Sequence, residues 1–249
     1  MCVAALAWHA HPRWQLVAIG NRDEYHARPA APLARWDDGC GIIAGRDLAG
    51  GGTWLGIADA GRFALITNRR GFGDPDPARR SRGELVTALL SGCEPAGALD
   101  AYNPFNLLLS GGDQLEYLTN RPDPLRTTLG HGVYGLSNGA LDEPWPKTLA
   151  LKTALTDWLA RNDPDFAPLF AALASEDCPA LGLPSREASD IALEPRDTPP
   201  FIRGALYGTR CSTIVTVDTD GAGKIAERRF DAAGTPSGHS ELDFSWPCL

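Results

Sequence analysis

Short apolar runs, separated by polar or glycine-rich breaks, dominate the first half of the chain. VAALAW at 3–8 and QLVAIG at 15–20 are divided by HAHPRW, whose proline favours a turn. Apolar runs of this length are typical of strands that are covered on both faces. Comparable runs predict further strands at 41–45, 53–58, 63–68, 105–110, 115–120 and 133–138.

Helical patterns occur in three places. SRGE at 81–84 has the Ser-x-x-Glu form of a capping box and precedes LVTALL, which predicts a helix capped by Ser81. Residues 143–162 place leucines and a tryptophan on one face at helical spacing, which predicts the longest helix of the chain. A further helix is predicted at 166–176.

The C-terminal third returns to strands. Residues 178–208 are proline-rich, and we expect an irregular segment that includes a loop over a site. Glycines between 209–218 and 225–230 predict a hairpin, and 240–246 predicts a last edge strand. The order of strands, helix, strands, helices and strands predicts an α+β fold of antiparallel sheets with outer helices, in one domain over 1–249.

Composition narrows the classes of partner. The 249 residues carry a net charge of −8, which disfavours binding to nucleic acid or to an anionic membrane surface. The six cysteines show no paired spacing, so we expect reduced thiols rather than a zinc site or a disulfide framework. The N-terminus has no basic stretch before its apolar run, and no stretch reaches the ~18 apolar residues of a membrane span. We expect a cytoplasmic protein.

Cys2 has two interpretations. It is either a small apolar residue that begins a strand, or the first residue after removal of Met1, carrying a thiol and a free amine on one carbon. In the second case the amine, with an ordinary pKa of about 7.7–8.0, is a usable general base at neutral pH. Amine-activated nucleophiles are an established solution to hydrolysis.

The densest polar cluster, NRDEY at 21–25, directly follows the second predicted strand. A solvated turn is the ordinary fate of such a run. An antiparallel hairpin, however, would return the end of strand two to the start of strand one, beside Cys2. Arg22 would then favour the Cys2 thiolate, and Asp23 could hold the α-ammonium.

A hydrolase of this kind needs donors for an oxyanion. Asn68, Asn120 and Asn138 each follow a predicted strand, and one side-chain amide in such a hole can contribute about 3 kcal/mol. Each is also the kind of residue that caps or turns a chain, so both interpretations stay open.

Other polar features are less specific. His9 and His11 alternate along a strand and could share a metal on one face, although no third ligand is evident. AGGG at 49–52 lacks the Lys-Ser/Thr of a phosphate loop and is interpreted as a tight turn that lets Trp54 pack. Five arginines could hold an anionic group or lie on a solvated loop: Arg69, Arg70, Arg79, Arg80 and Arg82.

Several ordered stretches resemble the NRDE family, also called the transport and Golgi organization protein 2 family. The matching stretches are MC at 1–2, NRDEYHARP at 21–29, AGRDLAGGGTWLGI at 44–57, ITN at 66–68, SRGELV at 81–86, FNLLL at 105–109, YGLSN at 134–138, PWPK at 144–147 and YGTRCSTIV at 207–215.

The resemblance implies an N-terminal-nucleophile (Ntn) hydrolase fold, a four-layer αββα sandwich of two antiparallel sheets between helices. It implies Cys2 as nucleophile with Arg22 and Asp23 beside it, and Asn68 and Asn138 as oxyanion or positioning residues. Substrate-binding candidates are Asn21, Glu24, Trp54 and Arg210. Cys211 replaces an expected serine and is assigned no chemistry.

Two functions follow from the resemblance. One is an amidohydrolase that cleaves the C–N bond of a small amide and requires no cofactor. The alternative is a carrier that binds haem or an acyl-lipid such as acyl-CoA on the same fold, because family members are implicated in haem trafficking and lipid metabolism. An Ntn-like fold can be kept for binding after activity is lost.

Overall fold

A computed structural model describes residues 2–94, 97–161, 164–178 and 197–247. The strands are β1 Cys2–His11, β2 Trp14–Tyr25, β3 Ala30–Arg35, β4 Ile42–Asp47, β5 Leu55–Ala58, β6 Arg62–Asn68, β7 Phe105–Gly111, β8 Gln114–Thr119, β9 Leu125–Leu129, β10 Gly132–Leu136, β11 Tyr207–Asp218, β12 Ala222–Phe230 and β13 Pro236–Ser245. The helices are α1 Arg82–Leu90, α2 Pro146–Arg161 and α3 Ala167–Leu173.

The strands form two antiparallel sheets. The first has the order β10-β1-β2-β11-β12-β13, and the second has the order β3-β4-β5-β6-β7-β8-β9. One apolar cluster lies between the sheets, a second lies between the first sheet and α2 with α3, and a third lies between the second sheet and α1. The layers are therefore αββα, which confirms the predicted α+β sandwich.

The unbroken apolar run of β1 follows from its central position. Ala4, Leu6 and Trp8 face the second sheet, whereas Val3 and Ala5 face the helices. Side chains alternate across a strand, so a strand that is covered on both faces needs apolar residues at every position. The same reasoning explains β2, whose first ten residues are all buried.

Two strands were not predicted from the sequence. β3 and β9 are the outer strands of the second sheet, and most of their side chains are partly or fully exposed. β3 also contains a proline, which edge strands tolerate because one side of the strand needs no ladder hydrogen bonds. Edge strands of this kind lack the apolar pattern that identifies a buried strand.

The helices begin close to the predicted positions but with different chemistry. Ser81 occupies the N-cap of α1 without a side-chain capping hydrogen bond, and Glu84 pairs instead with Arg80. The predicted capping box is therefore wrong, although the helix is present. α2 begins at Pro146 rather than at residue 143, as expected for a proline that fits the first helical turn.

The C-terminal hairpin is confirmed, with β12 beginning at Ala222, and the final edge strand starts earlier than predicted, at Pro236. Most of the predicted irregular segment, residues 179–196, lies outside the described residues. Among the described helices, none combines the length and apolar content that crossing a bilayer requires.

The apolar layer between the sheets gives a direct test of the architecture. Leu6 has no exposed surface in that layer, whereas Leu48 is 57% exposed. We expect Leu6→Ala to lower the free energy of unfolding by about 2–5 kcal/mol, because it leaves a cavity in a close-packed core. Leu48→Ala, the matched control, should change it by less than about 0.5 kcal/mol, as measured by urea denaturation. Equal effects would contradict the assigned core.

Candidate active site

Cys2 begins a central strand, and the strand register places it beside an arginine. Cys2 pairs with Arg22 on β2, and Arg22 pairs in turn with Cys211 on β11. Directly paired residues of antiparallel strands project to the same face, so these three side chains form a row across the first sheet. This face is the one turned toward the second sheet. The Ser137 hydroxyl donates to the Cys2 carbonyl oxygen at 2.8 Å and anchors the start of β1.

Arg22 carries a charge network between the two sheets. Its Nη2 donates to Asp47 Oδ2 on β4 at 3.0 Å, and Arg28 Nε donates to the same oxygen at 2.6 Å. Glu24 lies 3.8 Å from each guanidinium. Although burial disfavours its charge, hydrogen bonds from Arg28 and the Gly50 amide hold the pKa of Asp47 below its ordinary value. The network fixes Arg22 next to the thiol.

Asp23 lies at the end of β2, within the first sheet. It is 2% exposed, and its Oδ1 accepts a hydrogen bond from Thr209 Oγ1 at 2.7 Å. Its backbone carbonyl accepts from the Tyr207 hydroxyl at 2.8 Å. Burial raises the pKa of Asp23 to about 6, so the carboxylate is ionised at neutral pH but responds to mild acid.

Lys147 is a buried cation near this carboxylate. It lies in the first turn of α2 with no exposed surface, and its Nζ donates to Thr198 Oγ1 at 2.9 Å. Burial lowers the pKa of Lys147 to about 8, while the charge of Asp23 acts in the opposite direction. The charge of Lys147 likewise favours ionised Asp23. The two residues therefore stabilise each other's charged forms.

The Cys2 thiol is not ionised by its surroundings alone. Burial raises its pKa, and the negative charge of Asp23 adds to this effect, while Arg22 opposes it. A thiol with a raised pKa needs a base to take its proton before it can attack a substrate.

A cavity of about 440 Å³ opens onto Cys2. This volume is within the range of small-molecule sites. Its walls come from the ends of β1 and β2, from the loop that precedes β5, from the end of β6 and from the segment leading into α1. Side chains of both charges line it, together with Trp54 and Ile66.

The three asparagines predicted for the oxyanion occupy different environments. Asn68 lines the cavity, and its side chain makes no hydrogen bond to the described residues. Asn138 is fully buried behind it, and its Nδ2 donates to the Asn68 carbonyl oxygen at 2.8 Å. Asn120 is also buried, donates to two loop carbonyls and does not line the cavity. Only Asn68 among them presents an amide to the cavity, and Asn138 supports its backbone.

Two of the predicted substrate-binding residues do not line the cavity. Asn21 has no exposed surface, and its amide bonds to the Leu173 and Pro200 carbonyl oxygens and the Ser212 hydroxyl. Arg210 donates to the carbonyl oxygens of the last residue of β2 and of two residues just after it, at 2.9–3.1 Å. Both side chains are thus held by bonds within the fold, and Arg210 also borders a smaller cavity beside Arg22. A substrate contact for either residue stays a prediction.

The other two, Glu24 and Trp54, do line the Cys2 cavity. Trp54 also borders a second cavity of about 120 Å³ on the far side of Arg22, next to Cys211.

The predicted histidine pair is separated by an irregularity in β1. A bulge after Trp8 gives His9 a positive φ of 43° and breaks the alternation on which a shared face depends. His9 Nε2 lies 3.0 Å from Asp113 Oδ1, while His11 Nδ1 accepts the Arg13 amide at 3.2 Å. Within the described ranges, no three histidine, cysteine, aspartate or glutamate side chains are grouped to hold a metal.

The described cysteines are free thiols: Cys2, Cys40, Cys93, Cys178 and Cys211. Cys211 is buried, as expected for a residue that replaces a serine in the sheet.

Asp47 and Lys147 were not predicted as site residues. Asp47 lies in AGRDLAGGG and Lys147 in PWPK. Both stretches resemble the family, but the resemblance assigns no role to either charged residue. A single charged residue beside glycines or prolines has no spacing that marks it as part of a site. Its significance depends on which strand or helix it meets in the fold.

Comparison with known proteins agrees with this geometry. The profile of the family described as Transport and Golgi organisation 2 matches residues 1–232. The chain belongs to this family. The human Transport and Golgi organization protein 2 homolog is 32% identical and the Bos taurus homolog 31% identical, each over 92% of both chains. The Transport and Golgi organization protein 2 of Drosophila melanogaster is 26% identical over 59% of this chain and 61% of its own.

The fold of this Transport and Golgi organisation 2 family member also occurs in a solved hydrolase. The Caenorhabditis elegans ortholog of N-acylethanolamine-hydrolyzing acid amidase superposes with a TM-score of 0.50, covering 86% of this chain and 92% of its own. The identity is 12%, so the likeness shows the fold. The Ntn-hydrolase-like architecture implied by the sequence resemblance is thereby confirmed.

The electrostatic coupling of Asp23 and Lys147 gives a test of the buried charges in this family member. Lys147→Met keeps the side-chain length but removes the cation that favours ionised Asp23. We expect the pKa of Asp23 to move above its value of about 6, as followed by carboxyl-carbon NMR between acid and neutral pH. Lys152→Met on the same helix removes a cation that pairs with Asp142 instead, and it should leave Asp23 unchanged. A pKa unaffected by Lys147→Met would exclude the coupling.

Proposed function

We propose that this protein is an N-terminal cysteine hydrolase that cleaves the C–N bond of a small amide. The observation that carries the proposal is the position of Cys2, held opposite Arg22 at the start of β1 and open to a ligand-sized cavity. The shared fold with an acid amidase supports the same class of reaction. We expect the protein to act in the cytoplasm on a small molecule, without a required cofactor.

The first step is activation of the thiol. Once Met1 is removed, the Cys2 amine lies on the same residue as the thiol and takes its proton. Burial keeps the thiol protonated in the absence of such a base. Arg22 stabilises the thiolate that forms, because its charge favours ionised sulfur. Asp23, buried and ionised at neutral pH, orients the amine when it becomes an ammonium.

The second step is attack on the amide carbon. A bond forms between Cys2 Sγ and the carbonyl carbon, and the carbonyl oxygen becomes an oxyanion that accepts from the Asn68 amide. The C–N bond then breaks, and the ammonium of Cys2 returns its proton to the leaving amine. Water hydrolyses the thioester with the amine again as base, releasing the carboxylic acid and restoring the thiol.

The rival function is binding without catalysis. The same cavity could hold haem or an acyl-lipid, and its arginines would face the acidic groups of either. Among the described residues that line the cavity there is no histidine, so Cys2 would be the residue able to hold haem iron there. This function does not need a free amine, which separates the two proposals experimentally.

Replacement of Cys2 tests the hydrolase directly. In a screen of small N-acyl amides, we expect Cys2→Ser and Cys2→Ala to lower any turnover by about a thousandfold or more, because the nucleophile is changed or lost. Cys93→Ser, at an exposed cysteine outside the cavity, is the matched control and should retain the activity of the natural chain. Turnover that survives in Cys2→Ala would exclude the mechanism.

The binding function predicts that a ligand binds and that no amide is turned over. If the protein is a haem carrier, a haem titration shifts the Soret band of the natural chain at stoichiometric haem. An acyl-lipid carrier binds an acyl-CoA probe equally well in Cys2→Ala. Hydrolysis that depends on Cys2, with neither kind of binding, would exclude the carrier.

A further inference from the structure

The arginine-rich segment between β6 and α1 divides into two groups. Arg79 donates to the backbone carbonyls of Asp100 and Tyr102, and Arg80 pairs with Glu84. In contrast, Arg69, Arg70 and Arg82 form no ion pair with any described residue. In a chain with a net charge of −8, three guanidinium groups without a carboxylate partner are unexpected in one segment.

These three arginines meet at the end of the Cys2 cavity. Arg82 lines the main cavity together with Cys2 and Asn68. Arg69 and Arg70 line a small recess of about 20 Å³ that shares Asn68 and Arg82 with the main cavity. A ligand group that enters the recess is therefore continuous with one that reaches the thiol.

Several guanidinium nitrogens at this place are buried without a hydrogen-bond partner. They are Nε and Nη1 of Arg69, Nε of Arg70 and Nη1 of Arg22. Arg22 is itself only 8% exposed. A buried charged donor without an acceptor is costly, so such atoms mark a place for a bound water, an ion or an anionic group of a ligand. Arg82 differs in that its Nη1 donates to the Pro104 carbonyl oxygen at 3.1 Å, although burial lowers its pKa as well.

The first turn of α1 adds donors to the same wall. Ser81, Arg82 and Gly83 line the cavity, and Ser81 does not cap the helix with its side chain. A Cβ on Gly52 would lie 2.2 Å from the Gly83 backbone, so only glycine lets the two segments approach this closely. The N-terminal end of a helix favours negative charge.

The carboxylates of the cavity do not satisfy these cations. Asp47 is bonded to Arg22 and Arg28, and Glu24 lies near the same two guanidiniums. Asp76 lies 3.8 Å from Arg79. Asp23 accepts from Thr209 on the far side of the thiol. The recess end thus remains positive after the ion pairs among the described cavity residues are counted.

We infer that the ligand of the Cys2 cavity carries a terminal anionic oxygen group, a carboxylate or a phosphate, that binds between Arg70 and Arg82 next to the first turn of α1. The inference rests on the proposed function for the position of the scissile bond, and it narrows the substrate class to amides with an acidic group on one half. A planar guanidinium binds either group with two parallel hydrogen bonds.

Titration calorimetry with two simple anions tests this site. Inorganic phosphate and hexanoate are titrated separately into the natural chain, Arg70→Gln, Arg82→Gln and Arg126→Gln. Arg126 on β9 pairs with Glu116 on β8, and Arg126→Gln makes the same change of net charge outside the cavity. We expect at least one anion to bind with a Kd in the millimolar range or tighter, and each cavity variant to raise that Kd about tenfold or more.

The outcome identifies the source of the anion. Preference for phosphate assigns a phosphoryl group to the ligand, and preference for hexanoate assigns a carboxylate. Arg70 makes no side-chain hydrogen bond to the described residues, so Arg70→Gln should fold even if Arg82→Gln does not. The inference is overturned if neither anion binds, or if Arg70→Gln binds as tightly as Arg126→Gln.

Running the same titration on Cys2→Ala separates the two proposals. If Cys2→Ala binds the anion and the natural chain turns over no amide, the anion site is retained and the hydrolase is excluded. If the natural chain turns over an amide but binds neither anion, the hydrolase is retained and the anion site is excluded.

Discussion

The pairing of Cys2 with Arg22 is the contact on which the site depends. It follows from the register of the β1–β2 hairpin, which sets Cys2 directly opposite Arg22. A shift of one residue would turn the thiol to the helix side of the sheet and move Arg22 away from Asp47. The register is held by apolar residues on both faces of β1, because a slip would bury the wrong side chains in two cores at once. The core thus specifies the position of the thiol.

The cavity lies where the apolar layer between the sheets ends and polar contacts between the sheets begin. Arg22 on the first sheet bonds to Asp47 on the second, and Thr67 of β6 bonds to the Ser137 carbonyl after β10. Ser137 in turn holds the Cys2 carbonyl. Buried hydrogen bonds of this kind rigidify their surroundings. The two sheets are therefore held apart at a fixed distance where a substrate would enter.

Part of this arrangement could be predicted from the sequence. The apolar runs identify the buried strands, and a hairpin between 3–8 and 15–20 requires the end of β2 to return to Cys2. The edge strands β3 and β9 could not be predicted, because their exposed residues carry no pattern. Asn21 and Arg22 are adjacent site candidates in the sequence, yet neighbouring residues of a strand face opposite sides of the sheet. Only the register decides that Arg22 faces the cavity and Asn21 the helices.

The charged partners were hidden for a related reason. Asp47 bonds to Arg22 from the other sheet, and the charge of Lys147 acts on Asp23 from a helix more than a hundred residues away, so neither interaction leaves a local signal. The bulge that separates His9 from His11 could not be predicted either, because the sequence indicates only the regular alternation of side chains along a strand.

The central claim is that Cys2 becomes the first residue and acts as a nucleophile. The most direct measurement is the intact mass of the purified protein, before and after brief treatment with iodoacetamide at neutral pH, with the modified residue mapped by peptide mass spectrometry. The account predicts a mass without Met1 and one modified cysteine, Cys2, that reacts well before the exposed Cys93. Retention of Met1 together with an unreactive Cys2 would contradict it.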